Sequence, residues 1–203
     1  DTFPDVTPQM KDFDENLTFP VVVRDRTERL EGGTTVVKDR RQLTYERNRL
    51  KRQNMEPIVQ EYIEGDEYIV SLLYDQKGKP VFSTAFSVRN KVWDFLGNVA
   101  ALETVDADSL ISKARELADT LDITKAHVKF LFREPDPGTY VLIGASPLLP
   151  QLQSAATAAG HNYASTLAYL ANSETVKTST DYKIGIHAIR NIVYQRVSRR
   201  DLL

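Results

Sequence analysis

The chain has 203 residues, of which 41% are apolar and 27% charged, with 26 basic side chains against 28 acidic ones and no cysteine. That length fits one large domain or two small lobes sharing a cleft. A net charge of −2 excludes bulk attraction to nucleic acid or membrane, and the lack of cysteine excludes disulfides, thiolate metal sites and a cysteine nucleophile. No run approaches the ~18 apolar residues of a spanning helix, and the acidic start is unlike a signal peptide, so a cytoplasmic setting is expected. Because the sequence opens at Asp1, a trimmed chain or a piece of a longer one is expected.

Residues 1–19, with four aspartates and two prolines, predict an irregular lead-in with one short helix. Phe19–Val23 (FPVVV) and Thr34–Val37 (TTVV) predict β-branched strands around the turn Glu31-Gly32-Gly33. Asp39 is placed to cap a helix from Arg40 to Gln53 with Leu43 and Leu50 inward. Strands follow at Pro57–Ile63, Glu67–Tyr74 and Pro80–Val88, the last two forming a hairpin about the turn Asp75–Gly78. Arg89–Thr104 shows only strand fragments and loop. Asp108–Leu121 is the clearest helix, with Leu110, Ile111, Ala114, Leu117, Ala118 and Leu121 on one face and Asp108 as its cap. Two strands, His127–Phe132 and Tyr140–Ile143, flank a turn at Glu134–Gly138. A helix over Tyr163–Leu170 is predicted to bury Ala164, Leu167, Ala168 and Ala171, and a last helix or strand lies between Arg190 and Arg200. Mixed elements with two hairpins indicate an α+β fold.

Most chemical motifs fail when tested singly. Gly144-Ala145-Ser146 resembles half a nucleophile elbow, but Leu148 replaces the closing glycine. His127, His161 and His187 have no metal-ligand spacing and are expected to be ordinary surface or half-buried residues. Between Arg24 and Arg52, ten basic residues outnumber five acidic ones. A solvated helix face explains that excess better than a polyanion surface does. With only Tyr45 interleaved, nucleic acid is disfavoured as a partner. The segment Val59-Gln60-Glu61-Tyr62-Ile63-Glu64-Gly65-Asp66-Glu67-Tyr68 is more specific. A strand ends in a polar hinge that offers backbone groups to an adenine edge, and a carboxylate follows to accept ribose hydroxyls.

These residues resemble an ATP-grasp domain, closest to the large subunit of carbamoyl phosphate synthetase. FPVVVRDR (19–26) is similar to the family's phosphate-binding strand, and EGGTTVV (31–37) to its glycine-rich flap. IVQEYIEGDEYIVSLLYDQKGKPV (58–81) is similar to the adenine hinge, ribose glutamate and hairpin. ISKARELADTL (111–121), HVKFLFREPDPGTYVLIGASP (127–147) and AAGHNYASTLAYLANSE (158–174) follow in family order. The resemblance implies an ATP-grasp fold of two α+β lobes (1–63, carrying the flap, and 64–203) around a cleft, without the preceding N-terminal domain. The chain is then a fragment or a short pseudoenzyme, whose partner is a nucleotide, a protein or that missing domain, and not a membrane.

Carried over by position, Gln60, Glu61, Tyr62 and Ile63 hold adenine and Glu67 holds ribose. Arg24 replaces the phosphate lysine, and Gly32 and Gly33 are all that remains of the flap glycines, with Glu28, Leu30 and Glu31 where glycine is usual. The family's metal positions read Lys129, Gly144 and Ser146, and Leu148 replaces its arginine. Magnesium needs oxygen ligands, so the resemblance implies ATP or ADP as ligand, disfavours magnesium and implies impaired ligation. Lys129 is either a fixed cation in place of the metal or a plain solvent-facing strand residue.

Overall fold

The structure is a computed structural model that describes residues 7–13, 16–27, 34–92, 98–149 and 153–190. The flap residues Glu28, Leu30, Glu31, Gly32 and Gly33 lie outside the described residues, as does the tail beyond Arg190. Along the chain come β1 (Met10–Lys11), β2 (Val21–Asp25), β3 (Thr34–Val37), α1 (Arg40–Arg52) and β4 (Pro57–Glu61). There follow β5 (Asp66–Tyr74), β6 (Pro80–Val92), β7 (Asn98–Thr104), α2 (Asp108–Thr120), β8 (His127–Asp136) and β9 (Thr139–Ser146). The chain closes with α3 (Gln153–Ala159), α4 (Tyr163–Ala171) and β10 (His187–Ile189).

The strands form two antiparallel sheets. One has four strands in the order β1-β4-β2-β3, the other six in the order β10-β7-β6-β5-β8-β9. In the first, Val21, Val23, Val37 and Val59 pack with Leu43 and Leu50 of α1. Asp39 caps that helix as expected, its Oδ1 accepting from Gln42 N at 2.8 Å. The second sheet is covered on both sides. Val70, Leu72 and Tyr74 of β5 pack with Val128, Phe130 and Phe132 of β8 under Leu110, Ile111, Ala114 and Leu117 of α2. Ile69 and Leu73 belong to a separate cluster with Phe82, Phe86, Leu102 and, from α3 and α4, Ala155, Ala156, Tyr163 and Leu170.

Several expectations are corrected. The lead-in forms edge strand β1 where a helix was predicted, because Met10 and Lys11 pair with Gln60 and Val59. The strand predicted at Phe19 begins at Val21 and runs on to Asp25, whose buried carboxylate is satisfied by Glu56 N (3.0 Å) and Thr27 Oγ1 (2.8 Å). The indistinct stretch Arg89–Thr104 supplies the end of a long β6 and all of β7; their register shifts near Asn90 break the alternation that would have announced them. Asp108 lies inside α2, whose cap Ala107 makes no side-chain bond, and Leu121 is 46% exposed just past its end. Helix α3 was missed because its QSAATAA sequence carries no large apolar residue.

The buried face of α4 is Tyr163, Thr166 and Leu170; Ala164, Ala168 and Ala171 are exposed. Polar groups go inward because each finds a partner. The Tyr163 hydroxyl donates to Ser71 O at 2.8 Å and lies 2.9 Å from Thr84 Oγ1, which is 2.7 Å from His161 Nδ1. With the single Tyr163 proton committed to Ser71, Thr84 donates to Tyr163, and His161 Nδ1–H donates to Thr84. Phe82 stacks on His161 at 4.4 Å between ring centres. His127, also buried, donates Nδ1–H to Pro147 O at 3.1 Å. Two of the three histidines are thus core residues, contrary to expectation.

Burial holds both imidazoles below their ordinary pKa, against the pull of Asp181 on His161 and of the Pro147 carbonyl on His127, with Lys129 reinforcing the depression at His127. Histidines whose folded pKa is depressed stabilise fully above the unfolded value of about 6.5, and that stability is lost as pH falls through the folded values. Thermal unfolding should therefore show a lower midpoint at pH 5.5 than at pH 7.5, and His161→Asn should flatten that slope. An undiminished slope in the variant would place its origin elsewhere.

Candidate functional site

The short connection from β4 to β5 sets the site, because it leads the chain from the four-stranded sheet to the six-stranded one. Gly65 takes φ +124° there, and a Cβ at that position would collide with the Glu134 carbonyl, so glycine is required. A pocket beside this connection is lined by Pro8, Val22, Arg24, Gln60, Glu61, Ile63 and Ile143, with room for about one water molecule. Arg24 closes it. From β2, its guanidinium donates to Gln60 Oε1 and, across to β9, to Ile143 O, both at 3.2 Å. Burial lowers the Arg24 pKa, and arginine nevertheless stays a cation.

Gln60 and Glu61 lie within β4 between β1 and β2, and Glu61 N donates to Gln9 O at 2.9 Å. Tyr62 and Ile63 follow the strand end. The Ile63 carbonyl accepts from Arg133 at 3.3 Å, and the same guanidinium lies 5.7 Å from the centre of the Tyr62 ring.

Glu67 is 6% exposed and held between two cations, which sequence reasoning did not anticipate. Lys91 Nζ of β6 is 2.6 Å from its carboxylate, and Arg133 of β8 is 3.4 Å away. Burial pushes Lys91 below the ordinary lysine range, and Glu67 pulls it back. Only strand register brings these side chains together. Glu67 faces Arg133 across β5–β8, whereas Lys91 arrives beside it because β6 extends past its predicted end. The alternation Lys129, Leu131, Arg133 was the available signal for Arg133.

The three positions assigned to metal share one face of β8–β9. Lys129 pairs with Ser146 and with Ser71, while Gly144 pairs with Leu131. Lys129 is half-buried, not solvent-facing, and desolvation alone lowers its pKa. Beside Gly144 there is open space where a side chain would project. Among the described residues, no group of three or more His, Asp or Glu side chains can hold a metal ion. A lysine, a glycine and a serine do not suit magnesium, which takes carboxylate oxygens and water.

Glu67→Ala should lower stability by about 3 kcal/mol, since it leaves two buried cations without their shared carboxylate. Denaturant unfolding measures this, and a loss under 1 kcal/mol would mean that solvent screens the cluster.

A profile described as an ATP-grasp domain matches residues 8–129. Comparison with curated protein sequences returns no match. Among solved structures, a biotin carboxylase from Campylobacter jejuni, in complex with β,γ-ATP, superposes with a TM-score of 0.68 at 13% identity, covering 89% of this chain and 46% of that one. The biotin carboxylase domain of the Hydrogenobacter thermophilus 2-oxoglutarate carboxylase, solved with MgADP, ADP and bicarbonate, gives 0.69 at 11% identity over 89% and 45%. D-alanine–D-alanine ligase from Bacillus anthracis gives 0.59 at 17% identity over 82% and 61%. The chain spans about half the length of the two carboxylase structures. At these identities the likeness is one of fold. The profile match, over more than half of the sequence, together with the two-sheet architecture, establishes that the chain belongs to the ATP-grasp domain family.

Proposed function

We propose that this chain is a nucleotide-binding ATP-grasp module, similar to the large subunit of carbamoyl phosphate synthetase, that works as a binding or regulatory unit and not as a magnesium-dependent ligase. The observation that carries this reading is the shared face of β8 and β9, where Lys129 and Ser146 pair beside Gly144. Phosphoryl transfer draws most of its catalysis from positioning and charge neutralisation by metal and cationic groups. The three positions Lys129, Gly144 and Ser146 supply one fixed cation and a hydroxyl, and no carboxylate on which a divalent ion could sit.

In this reading, adenine enters beside Gln60, Glu61, Tyr62 and Ile63, and ribose hydroxyls approach Glu67. Arg24 and Lys129 meet the phosphates, and the resemblance adds Gly32 and Gly33, which lie outside the described residues. Adenine requires the Arg24–Ile143 bridge to open, because the closed pocket is too small for a ring system. Lys129 acts as a point charge where it stands; a desolvated ammonium without a carboxylate partner among the described residues gains most from an anion. A cytoplasmic setting suits such a ligand, and no helix among the described residues is long and apolar enough to cross a membrane.

A second reading is an active carboxylate–amine or carbamoyl-type ligase completed by another lobe or chain. It is favoured by coverage of only 45–46% of the carboxylase structures, which leaves over half of their length without a counterpart. Calorimetric titration separates the two. ADP or ATP should bind in EDTA, and magnesium should not tighten the binding. Lys129→Gln should weaken ATP roughly tenfold while leaving adenosine unchanged, as expected for one charged hydrogen bond. Binding that requires magnesium, with ADP released on adding carboxylate substrates, would favour the second reading. If neither nucleotide binds, the first reading fails.

A further inference from the structure

Helix α1 carries six basic side chains (Arg40, Arg41, Arg47, Arg49, Lys51, Arg52) against one acidic one, Glu46. That is an excess of five in a chain of net −2, so the remainder of the chain carries −7. Arg49, Lys51 and Arg52 stand in the last turn, where the dipole favours cations, but at the N-terminal end the arrangement works against the helix. Its first turn holds Arg40 and Arg41 and no acid, at the end where the helix dipole is already positive. Arg47 and Lys51 stand four apart with like charge, an unfavourable pair. A helix face that served only solubility and stability would interleave carboxylates at those spacings. Here the only acid of the helix is committed to Arg49, at 2.7 Å.

Part of the charge has local work. Arg40 donates to Phe13 O at 2.6 Å, and Arg47 lies 4.7 Å from the centre of the Phe13 ring, so both fasten the lead-in to α1. The outward face is different. Arg41, Tyr45, Asn48 and Arg52 follow one another at spacings of four, three and four, on the side opposite the buried Leu43 and Leu50, and all four are exposed. Tyr45 is 60% exposed at the centre of the stripe. Lys51 joins Asn48 and Arg52 around a shallow depression at the C-terminal end, and Lys38 extends the charge beyond the N-terminal end. Among the described residues, no carboxylate pairs with Lys38, Arg41, Lys51 or Arg52.

We propose that the outward face of α1 docks an acidic protein segment: carboxylates on Arg41, Lys51 and Arg52, and an apolar side chain on the Tyr45 ring. Arginine and tyrosine are the side chains enriched at protein interfaces, whereas a nucleic-acid strand calls for several aromatic platforms and this face has one. Such an encounter is steered by charge and weakens with salt. The proposal is independent of nucleotide binding, since the stripe lies opposite the side of α1 that packs on the sheet.

The test uses the chain as it exists, with a fluorescent peptide of ten glutamates and one central phenylalanine as probe, and a 20-nucleotide RNA as comparator. The peptide should bind at 50 mM salt, weaken at least tenfold by 200 mM, and lose at least tenfold in affinity in the double variant Arg41→Glu, Arg52→Glu. Arg41→Glu alone should raise the thermal midpoint, because it removes a like charge from the helix N-terminus, whereas a structural role for Arg41 requires the midpoint to fall. No peptide binding at 50 mM salt overturns the proposal, as does equal binding to the double variant or a fallen midpoint. Preferential binding of RNA would assign the face to nucleic acid instead. Self-association that disappears in the double variant would assign it to a second copy of this chain.

Discussion

The two-residue alternation of β5 and β8 is the constraint on which the molecule depends. Even-numbered residues of both strands enter the core under α2, which leaves the odd-numbered ones to the opposite face. There Leu73 and Ile69 hold α3 and α4, while Ser71, Glu67, Lys129 and Arg133 bring charge and hydrogen-bonding capacity. A one-residue slip in register would drive Glu67, Lys129 and Arg133 into the α2 core and expel Phe130 and Phe132. Packing on one side thus fixes the chemistry on the other, with no tolerance in register.

Electrostatically, the cleft is held by cations. Arg24 links the sheets through Ile143, Arg133 ties the β4–β5 connection to Glu67, Lys91 closes on the same carboxylate, and Lys129 stands apart. Removing these groups from water is unfavourable, and only close, well-directed partners offset it. In the arrangement proposed for the nucleotide, protein cations take over part of the neutralisation that a divalent ion would otherwise provide. A protein ammonium does not leave or exchange, so it cannot follow charge as it moves during phosphoryl transfer.

How much of this could be read from the sequence differs by element. β2 and β5 announce themselves through continuous β-branched or apolar runs, and α1 through Asp39 and the spacing of Leu43 and Leu50. Glu67 and Lys129 could be named from the resemblance, yet their surroundings could not. The Lys91–Glu67 contact depends on an irregular stretch of β6, which no periodicity reveals. The inward face of α4 was misjudged because apolar periodicity favours alanine, whereas Tyr163 and Thr166 are buried there, the tyrosine within the Ser71–Thr84–His161 network. The two core histidines escaped notice for the same reason: their burial follows from partners contributed by distant strands.

The bridge from Arg24 to Ile143 has a consequence for affinity. In the binding mode proposed above, the Arg24 hydrogen bonds to Gln60 and Ile143 must yield before the pocket admits a ring, so that only an opened form would be receptive. Apparent affinity is then the intrinsic affinity scaled by the opened fraction, and each tenfold scarcity of the open form raises the apparent dissociation constant tenfold. In that mode, a partner that contacted Ile143 or Gln60 and loosened the bridge would strengthen nucleotide binding without touching the nucleotide.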